Sequence, residues 1–148
     1  MKARDFVKKL DDKKIAEAIA GVEKTTSGEI RVVVDSRDAR DALEAAKTEF
    51  FKLGMDKTRD RNAVLIYFAP KTRQFALWGD AAVHQKCGDD FWKKIASEMT
   101  DLLRQEKFTE AIVLAVNRVG ETLTRHFPKM PDDTNELPDD VVFREPPQ

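Results

Sequence analysis

Glu29–Asp35 reads EIRVVVD and Asn62–Ala69 reads NAVLIYFA, and these two stretches decide the fold. Neither alternates between apolar and polar residues. Short runs that are apolar on both faces belong to strands buried on both sides, as parallel strands covered by helices are. Between them, Ala39–Leu53 carries Ala42, Leu43, Ala46, Phe50 and Leu53 at helical spacing, and Gly54 follows at the position that closes a helix with a left-handed residue. Strand, helix and strand make a right-handed βαβ crossover.

Working outward, Pro70–Arg73 reads as a tight turn, and Gln74–Trp78 (QFALW) as a third strand returning antiparallel to the second until Gly79 and Asp80 stop it. Ahead of the first strand, Ile15, Ala18, Ile19 and Val22 define one helix face, with Asp11 or Asp12 as its cap. Phe6, Val7 and Leu10 suggest a shorter helical piece before it. After Asp80, three helical stretches are expected: Ala81–Lys86, Asp89–Gln105 and a last helix capped by Thr109 and reaching Phe127. The order α-β-α-β-β-α-α-α predicts an α/β fold, a three-layer α/β/α sandwich. Its mixed sheet joins a βαβ crossover to an antiparallel hairpin strand.

Residues 1–127 form the predicted domain. Residues 128–148 carry five of the six prolines and a net charge of −4, against +3 for the rest, and read as a disordered acidic tail. Leu137, Val141, Val142 and Phe143 are the apolar exceptions within it. A net charge of −1 argues against a nucleic-acid binder. No apolar run approaches a membrane span, no signal-like segment opens the chain, and Cys87 is the single cysteine. These features predict a cytoplasmic protein without membrane insertion; its oligomeric state is left open.

The residues carry no phosphate-binding glycine loop, no HExxH and no GxSxG. His126 at a helix end, His84 and Cys87 read as structural or surface residues. The strand directions make one region notable. Gly28-Glu29, Arg59-Asp60-Arg61-Asn62 and Gly79-Asp80 should meet at one end of the sheet. Glu29, Asp60, Asn62 and Asp80 offer oxygen ligands to a hard cation, Ca2+ or Mg2+, and Arg59 and Arg61 offer charge to a phosphate. Against this, Asp80 can simply cap the next helix while Asp60 pairs with an arginine. Asp35 and Asp38, at the opposite end of the first strand, read as a cap box for the helix that follows.

The same segments resemble the TPM domain family, named for a thylakoid lumen protein, a photosystem II repair protein and a nematode receptor modulator. The features that match are Thr26-Ser-Gly-Glu-Ile30 and its valine strand, Phe50-Phe-Lys-Leu-Gly54, Arg61-Asn-Ala-Val-Leu-Ile66, Arg73 in its turn, Gly79-Asp80 and Gly88-Asp-Asp-Phe-Trp92. The resemblance implies a Rossmann-like α/β/α sandwich. It also implies divalent cation binding, often calcium, in some members and an acid phosphatase activity in the plant thylakoid type. Many members are exported or tethered to membranes, which this sequence does not match. Three functions follow as expectations: a cation-binding accessory or interaction module, a weak metal-dependent phosphatase, and a metal-free protein-interaction domain.

Overall fold

A computed structural model describes residues 2–131, 137–139 and 141–144. β1 (Glu29–Asp35) and β2 (Ala63–Ala69) are parallel and every residue in both is buried. Their pairing runs from Glu29 opposite Ala63 to Val34 opposite Phe68. β3 (Gln74–Gly79) returns antiparallel along β2, with Val64 opposite Gly79 and Ala69 opposite Gln74. The fold class expected from the two valine- and isoleucine-rich stretches is the one observed.

Helix α3 (Ala42–Lys52) covers one face of the sheet and packs Ala46 and Phe50 on Val33, Leu65 and Tyr67. The other face carries α1 (Ala3–Lys8), α2 (Asp12–Glu23), α4 (Ala81–Arg104) and α5 (Phe108–His126). There Ile15, Ile19, Ile112, Val116 and Met99 pack on Ile30, Val32, Ile66 and Phe68. Asp11 caps α2, its carboxylate accepting from Lys14 N–H at 3.1 Å, and Gly54 takes the left-handed conformation (φ 70°) after α3. The two helices expected on either side of Cys87–Gly88 form one element broken at Gly88, whose φ of 74° and ψ of 174° are not helical.

Several local expectations are corrected. The cap of α3 is Asp41, which accepts from Glu44 N–H at 3.2 Å; Asp35 is engaged elsewhere. Thr109 does not cap α5. It lies inside the helix, and its hydroxyl accepts from Asp11 N–H at 3.1 Å, which ties the start of α2 to α5. Leu43, expected inward, is 51% exposed.

A fourth strand, β4 (Val142–Arg144), lies parallel to the outer edge of β1 with Val33 opposite Val142 and Asp35 opposite Arg144, giving the sheet order β3-β2-β1-β4. The expectation of a wholly disordered tail therefore does not hold at 142–144. Alternation explains it: Val141 and Phe143 pack on the core beneath α2 and α5, Val142 on the core beneath α3. Residues 132–136, 140 and 145–148 of the expected tail lie outside the described residues.

Candidate functional site

The end of the sheet singled out from strand directions is assembled as expected in its backbone. Glu29 pairs with Ala63, Gly79 with Val64, and Asp80 N–H donates to Ala63 C=O at 2.9 Å. The side chains, however, do not converge. Arg61 Nε and Nη2 reach the two carboxylate oxygens of Asp80 at 2.8 Å each, a bidentate pair. Asp80, 4% exposed, also accepts from Ala81 N–H at 2.7 Å and so caps α4. Its hydrogen bonds and its charge push the Arg61 guanidinium up from its ordinary value. Arg61 adopts a left-handed backbone (φ 52°), which aims it at Asp80.

Asn62 is buried and donates to Ser27 Oγ at 3.0 Å. Asp60 is exposed and faces Arg59 at 3.6 Å. Glu29, 2% exposed, turns to Glu23 on α2. Burial first, then hydrogen bonds to Asp139 and Glu29 and the Glu29 charge, push the Glu23 carboxyl up to about 11, while Ile30 N–H at 3.1 Å pulls the other way. The four oxygen ligands expected to share a cation therefore have separate engagements. No group of three or more His, Cys, Asp or Glu side chains able to hold a metal ion is present among the described residues. Arg61, committed to Asp80, is also not free to clamp a phosphate.

Sequence reasoning missed the cleft that surrounds the Arg61–Asp80 pair. Its volume is about 510 Å3, and its walls are largely apolar. Leu43 and Phe51 come from α3, Trp78 from the edge strand β3, and His84 and Trp92 from α4. Gly79 makes room for it: a Cβ there would lie 2.6 Å from the Trp92 ring. Phe51 is 47% exposed on the rim beside Leu43. His84 faces Asp89 at 3.8 Å, both exposed. Cys87 lies nearby in sequence, with burial pushing its thiol up, away from the reactive thiolate. The signal for this cleft was present as aromatic residues at 78 and 92, but each reads equally well as core.

A second polar cluster was also missed, at the other end of β1. Arg37 donates to both oxygens of Asp35 at 2.7 and 2.9 Å, and to Glu49 Oε1 at 2.6 Å. Tyr67, fully buried, donates to Asp35 Oδ2 at 2.6 Å, and Arg144 Nε reaches Glu49 Oε2 at 3.0 Å. Burial opposes ionisation of Asp35, but the hydrogen bonds from Arg37 and Tyr67 outweigh it and hold the carboxyl below the usual range. Burial and the Asp35 hydrogen bond push the Tyr67 phenol up. Every charge here has a partner, so the cluster fixes β4 and α3 on β1.

Among the described residues no helix is long and apolar enough to cross a membrane. A comparison with curated proteins gave no match. Among solved structures, the chain is similar to the NMR structure of BA42 protein from the psychrophilic bacterium Bizionia argentinensis. The TM-score is 0.82 at 34% identity, over 89% of this chain and 91% of that one. The model of the TPM domain matches residues 2–122, which hold β1, β2, β3 and the Arg61–Asp80 cleft, and the chain belongs to the TPM domain family.

Proposed function

We propose that this chain is a binding module that takes an apolar side chain of a protein partner into the cleft between α3, β3 and α4. One observation carries this reading: the cleft of about 510 Å3 is walled by Leu43, Phe51, Trp78 and Trp92 around the fixed Arg61–Asp80 pair. Concave apolar sites with a few oriented polar groups are the usual form of binding sites. Exposed Leu43 and Phe51 extend the apolar surface beyond the rim, as a protein partner needs. Arg61 holds a left-handed backbone although it is not glycine, a cost that structures retain where a side chain must be aimed. The catalytic alternative has less behind it: Asp80 accepts three hydrogen bonds, the Cys87 thiol is pushed up, and Arg61 is already paired.

Pull-down with wild-type chain as bait, against Phe51→Asp and Gly79→Val baits of equal thermal stability, tests the reading. Both variants should lose the same captured protein. Retention of that protein by both would reject the cleft as the contact.

A divalent cation is the second reading, and one observation favours it. Asp80 places a buried carboxylate on the wall of the cleft. A Ca2+ or Mg2+ ion would have to take Asp80 from Arg61. Calorimetric titration of the wild type and Arg61→Gln would then show tighter cation binding by the variant. No heat with either protein would remove the cation from this site.

A further inference from the structure

Three non-glycine residues among those described adopt a left-handed backbone: Arg61, Arg73 and Glu106. Arg61 belongs to the cleft above. The other two stand together on a different cavity at the opposite end of the sheet, of about 450 Å3, within the range of small-ligand sites (~300–1,000 Å3). Its walls are aromatic. Phe6 packs against Phe68 and Phe108 with ring centroids 5.3 and 4.9 Å apart, and Phe75 lies on Phe68 at 6.0 Å.

The rim is cationic. Arg73 and Arg104 both line the cavity, both are exposed, and neither has an acidic partner among the described residues. The rim carboxylate, Glu106, is opposed by Lys9 at 3.9 Å, and Lys9 in turn sits 5.7 Å from the Phe108 ring centre. The two arginines thus leave a net excess of two positive charges beside a largely apolar, open cavity. Arg73 closes the turn at 70–72 and Glu106 closes α4, each in the left-handed conformation that ends such elements, and so both are set at the rim.

We propose that this cavity binds a small monocarboxylic acid with an aromatic or branched apolar body, the apolar body lying against half-buried Phe75 and the edge of the phenylalanine cluster and the carboxylate meeting Arg73 and Arg104. A cationic ligand would face the arginines, and a neutral one would leave them unused. The site is separate from the Arg61–Asp80 cleft and does not depend on how that cleft is used.

The experiment titrates 4-phenylbutyrate and its neutral counterpart 4-phenylbutan-1-ol into the full chain, followed by amide and aromatic NMR shifts. The acid should bind about tenfold tighter than the alcohol, with shifts centred on Phe6, Phe75 and Phe108, and the preference should shrink with salt. Arg104→Gln and Arg73→Gln, at exposed positions, should each bring the acid towards the alcohol. Equal affinity for acid and alcohol, shifts confined to other surfaces, no binding at millimolar acid, or unchanged acid binding in both variants would each overturn the proposal.

Discussion

Replacing Glu23 with Gln should stabilise the protein at neutral pH. Glu23 is the last residue of α2, is 7% exposed, and sits against Glu29 and Asp139. Burial, those two acids and the negative end of the helix all oppose its ionisation. Its carboxyl is pushed from an ordinary 4.5 up to about 11, so the folded protein keeps a proton that the unfolded chain loses above 4.5. A raised folded value means that the associated stability is complete below pH 4.5. It is lost as pH rises from there towards about 11. At pH 7.5 the full cost would be about 4 kcal/mol. Relaxation and water penetration around a buried charge reduce this, leaving an expected gain of about 1–2 kcal/mol. Gln keeps the oxygen that accepts from Ile30 N–H and adds a donor facing Glu29. Thermal unfolding followed by circular dichroism should therefore show Glu23→Gln melting about 3–6 °C higher at pH 7.5. The difference should vanish near pH 4. A variant no more stable than wild type at pH 7.5, or the same pH slope in both proteins between 5 and 8, would show that Glu23 carries no buried-charge cost.

Further predictions follow from single contacts. Tyr67→Phe removes the 2.6 Å donation to Asp35 and should cost about 1–3 kcal/mol in urea unfolding at pH 7, with less loss once Asp35 is protonated in acid. Gly120→Ala puts a Cβ 2.5 Å from Val22, so overpacking (about 1–3 kcal/mol) should outweigh the roughly 1 kcal/mol gain in helix propensity. In a Val22→Ala background the same change should be neutral or stabilising, a reversal that a double-mutant cycle reads directly. Arg144→Gln cuts the 3.0 Å bond to Glu49, and the Ser36 amide, bonded to Arg144 C=O at 2.8 Å, should then exchange hydrogen faster while β2 amides do not change.

The parts of the fold that were legible in the sequence are those governed by local pattern. Three consecutive valines and NAVLIYFA gave both-face burial, and Gly54 gave the left-handed turn that it forms (φ 70°). What was hidden depends on contacts remote in the chain. Thr109 looked like a cap until Asp11, 98 residues earlier, claimed its hydroxyl. Asp35 looked like a helix cap until Tyr67 and Arg37 claimed its oxygens. The site was half legible for the same reason. Strand direction placed Glu29, Asp60, Asn62 and Asp80 at one end, but strand direction does not say which way a side chain turns. Glu29 turns to Glu23, Asn62 to Ser27 and Asp80 to Arg61. The left-handed arginines and Glu106 carry no composition signal, because glycine or asparagine is the residue expected there.

The family match ends at residue 122, yet the sheet ends at Arg144, and the hydrogen bonds show how the two fit. β1 does not need β4 to hold its far end. Asp35 is fixed by Arg37 and Tyr67, and Glu49 already receives Arg37 at 2.6 Å, all within the matched domain. Arg144 uses the second oxygen of Glu49, and Val142 and Phe143 cover core that α3, α2 and α5 leave open at the β1 edge. β4 is thus an addition to a three-stranded sheet already held together by its own contacts. Its residues are only half-buried where every residue of β1 and β2 is buried. An open strand edge invites pairing with another chain, and a short strand ending in a charge is one way proteins block it. Val142–Arg144 occupies that edge. Deleting residues 141–148 should therefore raise self-association of the chain in sedimentation velocity, while NMR shifts of the Arg61–Asp80 cleft, at the opposite end of β1, stay unchanged; self-association no greater than that of wild type would reject this.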